Sequence, residues 1–174
     1  MEWMDIRDPE GNPTGRTTPR AHALQNGEFM LAVHVFIYRD DGRFLLQKRS
    51  MQKRLYPGKW DITGGGVLAG ESSLEAACRE VREEVGLALP PQRMQKLARL
   101  KRPPCFFDVW ACRQAFELGD LVLQREEVDD VRLVSPPEML TILFEQEYPD
   151  DGYRRVLTDF LAHAADAPLF RQNG

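Results

Sequence analysis

The 174-residue chain carries 23 lysines and arginines against 27 aspartates and glutamates, a formal net charge of −4, and 43% hydrophobic residues. Such a composition suits one globular domain with enough mass to bury a core, and it lacks the basic excess that a DNA or RNA backbone demands. No apolar run approaches the ~20 residues of a membrane span, and the acidic N-terminus MEWMDIRDPEG is unlike a signal segment, so a cytoplasmic protein with neither membrane nor nucleic-acid polymer as partner is expected.

In chain order, Trp3 to Asp8 and Thr14 to Thr18 flank Pro9-Glu10-Gly11-Asn12-Pro13 and predict a hairpin with Gly11-Asn12 at its tip. Phe29 to Tyr38 (FMLAVHVFIY) and Arg43 to Lys48 (RFLLQK) flank Arg39-Asp40-Asp41-Gly42 and predict a second. The first strand of that pair is almost continuously apolar, which places it centrally in a sheet covered on both faces, with His34 as a hydrogen-bonded core residue. Ser50 to Pro57 reads as a basic loop carrying Lys53 and Arg54, and leads through Gly58-Lys59-Trp60-Asp61 into a glycine turn at residues 64–66. Ser72 with Glu75 forms a capping box and Gly86 a stop signal, so a helix runs between them. Arg93 to Lys101, Phe106 to Gln114 and Val131 to Val134 follow as strands, and Pro137 to Phe144 and Tyr153 to Ala164 as helices. In the last helix Val156, Phe160, Leu161 and Ala164 form the face turned to the sheet. The order of elements predicts an α/β fold, a mixed sheet sandwiched between helices (α/β/α). The three cysteines, Cys78, Cys105 and Cys112, lack C-x-x-C spacing and read as small core residues of a reducing compartment.

The helix after the glycines carries the chemistry. At about 100° per residue, Leu74, Ala77, Cys78, Val81 and Val85 form one apolar stripe, while Glu80, Glu83 and Glu84 share an arc of roughly 100° that is expected to lie on the far side. Like charges three and four apart cost a helix about 0.2–0.5 kcal/mol per pair. Converging carboxylates of this kind suit Mg²⁺ or Mn²⁺, hard ions that take oxygen ligands. The alternative is a solvated face laced with ion pairs, for which Glu75–Arg79 and Arg79–Glu83 have the spacing.

The longer pattern decides between them. Gly65, Glu71, Arg79, Glu80, Val81, Glu83, Glu84, Gly86 and Leu87 fill every fixed position of G-x5-E-x7-R-E-U-x-E-E-x-G-U, with U a bulky aliphatic residue. A chance match at seven invariant positions is on the order of 10⁻⁸ per start point. The segment therefore resembles the Nudix box, and the resemblance extends more faintly over most of the chain. It implies a single Nudix domain over residues 1–174 with an N-terminal hairpin extension at 1–28, and a metal-dependent hydrolase of the diphosphate linkage in a nucleoside diphosphate joined to another group. By the same resemblance Glu80 and Glu84 are the principal metal ligands. Glu83 is a third ligand or the base that polarises water, and Gly65 adds its backbone carbonyl. Glu71 and Arg79 are supports, and Glu127, of the pair Glu126-Glu127, is the candidate for a glutamate drawn from outside the box. Lys53, Arg54 and Lys59 either steer the diphosphate or form a solvated basic loop, and Trp60, Phe107, Trp110 and Tyr148 either stack a base or belong to the core.

The stretches DPEGNPTGRTTPR and LLQKRSMQKRLYPGKWDITGGG also resemble the Nudix branch close to isopentenyl-diphosphate isomerase. That branch needs a cysteine before the box glycine, a histidine after it, a later glutamate and a metal-binding histidine, and here Gly64, Gly66, the run Pro103-Pro104-Cys105 and Met30 stand at those places. A nucleotide-sensing module without catalysis is the third reading, one that would tolerate loss of box carboxylates. Pro103, sixteen positions after Leu87, resembles the downstream proline of ADP-ribose hydrolases. Homodimers are common in the family, and the hairpin or its strand edge offers a surface for one.

Overall fold

The computed structural model describes residues 2–145 and 151–166. Two strands, β1 (Trp3–Arg7) and β2 (Pro13–Pro19), form the N-terminal hairpin, and its Asp8 caps the turn by accepting from the backbone N–H of Glu10 and Asn12. The chain continues through β3 (Met30–Tyr38), β4 (Phe44–Arg49), β5 (Trp60–Asp61), β6 (Thr63–Gly66), α1 (Ser73–Val85), β7 (Met94–Arg102), β8 (Cys105–Arg113), β9 (Val128–Val134), α2 (Pro136–Glu145) and α3 (Asp151–Asp166). The expected elements are present with ends shifted by a few residues. The glycine segment differs in kind: it is a strand, not a turn, and runs antiparallel to β3 with Ala32 opposite Gly66 and Val35 opposite Thr63. Glycine carries little strand propensity, so only the non-local pairing with β3 makes it one.

Among the described residues the main sheet is mixed and seven-stranded, with β3 parallel to β8 along its whole length and the other pairs antiparallel. The second predicted hairpin opens immediately. Only Tyr38 and Phe44 pair across it, after which β3 takes β6 as its neighbour and β4 takes β9 and β5. That splay leaves the end of α1 and the side chain of Gln47 at the divide between the two halves of the sheet.

Both faces of β3 are covered. Leu31, Val33, Val35 and Ile37 meet Ala76, Ala77, Val81 and Val85 of α1, while Phe36 meets Met139 and Leu143 of α2 and Tyr153, Leu157 and Phe160 of α3. At roughly 25 cal/mol per Å² of apolar surface removed from water, these two clusters are the main stabilising term. The buried face of α3 differs from the expected one: Tyr153 and Leu157 are its innermost residues, Val156 and Leu161 are half-buried, and the Ala164 side chain lies outside what is described. Cys112 is buried, whereas Cys78 and Cys105 are half-buried.

His34 is buried with its Nδ1 2.9 Å from the Tyr153 hydroxyl, and burial pushes its pKa down to about 3. The unfolded chain takes up a proton at this imidazole below about pH 6.5 while the folded chain does not, so the contribution is present above pH 6.5 and is lost as pH falls toward 3. Between pH 7 and pH 5 that amounts to about 2 kcal/mol. In urea unfolding at both pH values, wild-type protein is expected to lose about that much more stability than H34Q; equal losses would show that His34 is not held neutral.

Candidate active site

α1 begins where Ser72 accepts from the Glu75 backbone N–H and Glu75 returns the bond to the Ser72 N–H, and it ends at Gly86, whose φ of 72° only glycine adopts without strain. The side chains it buries are Ala76, Ala77, Glu80, Val81, Glu84 and Val85. This corrects the expectation of three carboxylates on a far, polar face. Seven residues make nearly two full turns, so Glu84 stands only about 20° from Ala77, and the ridge 76–80–84 lies beside the ridge 77–81–85. Glu80 is 8% exposed and Glu84 5%, whereas the Glu83 side chain is 47% exposed.

The glycines of β6 make room for them. A Cβ on Gly65 would fall 2.2 Å from the Glu80 carboxyl carbon, and one on Gly64 would fall 2.3 Å from the Val33 carbonyl oxygen. Glu84 accepts from Gln47 Nε2 at 2.9 Å and from the Gly64 N–H at 3.4 Å. Gln47 is a residue that sequence reasoning missed. The available signal was a polar amide inside the buried run FLLQK, and its Nε2 also donates to the Ile62 carbonyl at 3.4 Å.

Arg79 organises the other side. Its Nε and one terminal nitrogen grip Glu71 at 2.9 Å each, the same terminal nitrogen donates to the Gly66 carbonyl at 2.8 Å, and the other reaches Glu80 at 2.8 Å and Glu83 at 3.1 Å. All five N–H donors of the guanidinium are thus occupied. Glu71 also accepts from the Leu68 N–H at 3.0 Å, tying the loop before α1 to the same cation. Hydrogen bonding to Glu71 raises the Arg79 pKa further above its ordinary value despite partial burial.

The electrostatics of the two buried carboxylates run the other way. Burial raises the Glu80 pKa even though Arg79 and Arg20 oppose it. Burial also pushes Glu84 up to about 8, helped by the neighbouring charges of Glu80 and Glu127 and opposed by the Gln47 bond. Gln47 Oε1 is buried without a donor among the described residues, so acceptors outnumber donors here. Among the described residues no three His, Cys, Asp or Glu side chains stand together as a ready-made metal cluster. Glu83 is half-exposed and shares one terminal nitrogen of Arg79 with Glu80. The donor set nevertheless fits a hard divalent cation, because Glu80 and Glu84 are carboxylates that outnumber the positive charge around them and lie behind the glycines of β6.

The remaining sequence candidates scatter. Lys53 pairs with the Glu127 carboxylate, and the Glu127 carbonyl accepts from the Ser50 N–H at 2.8 Å, so the basic loop and the segment before β9 are joined. Arg54 and Lys59 are exposed and make no hydrogen bond to the carboxylates among the described residues. Trp110 is buried in the core beneath α1 and is no stacking platform. Trp60 lies under the Arg132 guanidinium at 4.3 Å, Phe107 meets the His34 ring at 4.6 Å with the planes tilted by 39°, and Tyr148 lies outside the described residues. Arg20 and Glu2, paired at 2.7 Å, were not anticipated at the site at all, and nothing local in the sequence marks them.

Comparison with known proteins accounts for this geometry. Residues 28–158 match the model of the NUDIX domain, leaving the β1–β2 hairpin outside the match. An uncharacterised Nudix hydrolase of Listeria monocytogenes is 35% identical over 149 residues, covering 85% of this chain and 88% of that one. Nudix hydrolase 3 of Arabidopsis thaliana is 32% identical over 160 residues, 84% of this chain and 21% of its own length. The crystal structure of DR0079 from Deinococcus radiodurans superposes with a TM-score of 0.72 at 21% identity, covering 91% of this chain and 98% of that one, a likeness of fold. Among the described residues no helix is long and apolar enough to cross a membrane. With its box, sheet and helices in place, the chain belongs to the Nudix hydrolases, a family that generally cleaves pyrophosphate linkages of nucleoside diphosphate derivatives with the help of divalent metal ions.

Proposed function

We propose that this chain, acting as one domain over residues 1–174, hydrolyses the diphosphate linkage of a nucleoside diphosphate joined to a further group, by attack of water on phosphorus. The observation that carries the reading is the pair Glu80 and Glu84, two acids one helical turn apart, buried against the glycines of β6 and short of counter-charge. Glu80 and Glu84 would hold Mg²⁺ or Mn²⁺ together with the Gly65 carbonyl. A divalent ion, when bound, supplies positive charge over the non-bridging phosphate oxygens and acidifies water. Glu83 serves as a third ligand or as the base, since it is half-exposed and held only by one edge of Arg79. Glu127 joins from outside the box, its charge felt at Glu84, and Lys53 with Arg54 and Lys59 presents the basic loop to the diphosphate. Glu71 and Arg79 keep Glu80 and Glu83 oriented.

The isomerase alternative finds no acid or base, because Gly64 and Gly66 form bare strand where its cysteine and histidine would stand. A sensor without turnover would have no use for a complete set of box carboxylates, which this chain keeps. An Ap4A hydrolase of C. elegans and the NUDIX domain of Shewanella oneidensis NrtR complexed with ADP ribose share the fold at TM-scores of 0.57 and 0.55, and compounds of both kinds belong in the substrate panel.

Phosphate or nucleotide release from that panel with Mg²⁺ tests the proposal. Wild-type protein is expected to turn over at least one diphosphate-linked nucleotide, and E84Q to fall by about 100-fold or more. Metal-independent binding with no turnover would favour the sensor, and conversion of isopentenyl to dimethylallyl diphosphate the isomerase. G65A should be as inactive as E80Q, since its methyl group would occupy the space of the Glu80 carboxylate; near-normal turnover would remove Gly65 and Glu80 from the site.

A further inference from the structure

We propose that Arg20, the first residue beyond β2, is a diphosphate-binding residue of this site, so that the N-terminal hairpin completes the active centre; the inference rests on the hydrolase reading above. The hairpin is docked on the head of the box. Its Trp3 carbonyl accepts from the Ala69 N–H at 2.8 Å, Asp5 accepts from the Gly70 N–H at 3.0 Å, and Met4 bridges to Leu68. A Cβ on Gly66 would fall 2.6 Å from Met4 Cε and 3.8 Å from Arg20 Nε. The Arg20 guanidinium therefore stands beside Gly66 on the face of β6 opposite the one that Glu80 backs at Gly65, while the Gly64 N–H and the Gly66 carbonyl are met by Glu84 and Arg79 along the strand's edge away from β3.

Donor supply singles it out. Arg79, the nearest other guanidinium, has all five N–H groups bonded, and Lys53 is engaged by Glu127. Arg20 donates a single side-chain bond, to Glu2 Oε2 at 2.7 Å, and its backbone N–H donates to the Glu2 carbonyl at 3.0 Å. One edge of the fork is thereby oriented. The rest of the side chain is 50% exposed, and its other donors make no protein hydrogen bond among the described residues. A planar fork with free, parallel donors matches the non-bridging oxygens of a diphosphate. The Arg20 charge bears on both Glu80 and Glu127, and Lys53 pairs with Glu127, so the two cations border the same carboxylates. The diphosphate would lie between them, along the edge of β6 away from β3.

The test titrates Mg²⁺-loaded protein with methylenediphosphonate, a non-hydrolysable diphosphate, by calorimetry, and measures Mn²⁺ affinity of the same proteins by electron paramagnetic resonance. For R20A the diphosphonate Kd is expected to rise roughly 10- to 100-fold, as loss of charge-assisted hydrogen bonds does. R20K should fall between it and wild type, and Mn²⁺ affinity should stay within about 2-fold, the scatter expected where no ligand is touched. Unchanged diphosphonate binding in R20A would overturn the proposal. So would a parallel loss of Mn²⁺, which would make Arg20 a support of Glu80, or failure of wild-type protein that does hold Mn²⁺ to bind the probe. Failure of the underlying hydrolase reading looks different: no Mn²⁺ bound by wild type and no turnover of any nucleotide.

Discussion

Two carboxylates buried beneath a helix set the terms for everything around them. Burying an ionised carboxylate without a partner costs several kcal/mol, and Glu80 and Glu84 are buried side by side one helical turn apart. The molecule answers with partial compensation: Arg79 for Glu80, the amide of Gln47 and the Gly64 N–H for Glu84. None of these neutralises Glu84. A site that keeps acids short of counter-charge keeps affinity for a cation, and an entirely compensated helix would have none.

The fold supplies that tension by geometry. β3 and β4 leave their shared turn and part at once, and β6 fills the gap beside β3 with three consecutive glycines that interpose no side chain between sheet and helix. α1 can therefore come down until the Glu80 carboxylate sits where a Cβ would otherwise be. Arg79 then ties together Glu71 before the helix, Glu80 and Glu83 within it and the Gly66 carbonyl in the strand. Because that guanidinium is saturated, it holds the frame and has no donor left for a substrate, and recognition falls to cations that the frame leaves free.

What the sequence alone revealed follows the range of the interactions. The helix bounds were legible because Ser72, Glu75 and Gly86 act within one turn of the ends they define. The strands around Val33 and Val109 were legible because both faces are apolar. The burial of Glu84 was encoded in the seven-residue step from Ala77, yet the chemistry of a carboxylate argued for solvent and outweighed the period. The glycine strand was not legible, since its structure comes wholly from pairing with β3, and neither was Arg20; Gln47 showed only as an amide in an apolar run, its partner Glu84 being 37 positions away. His34 was legible as a core residue, but its partner Tyr153 lies 119 positions away.

Burial keeps Glu84 at a cost to stability, and on the proposed reading a bound cation removes that cost. In the metal-free protein its folded pKa, about 8, lies above that of the unfolded chain, so stability present below about pH 4.5 is lost as pH rises toward 8. Thermal unfolding of wild type and E84Q at pH 8, with and without Mg²⁺, measures this directly. Without metal, E84Q should unfold at the higher temperature, because the neutral amide avoids burying a charge. With Mg²⁺ the order should reverse, wild type rising and E84Q unmoved. A wild type more stable than E84Q in both conditions, with no response to Mg²⁺, would show that Glu84 is a structural hydrogen-bond acceptor and that the metal is held elsewhere.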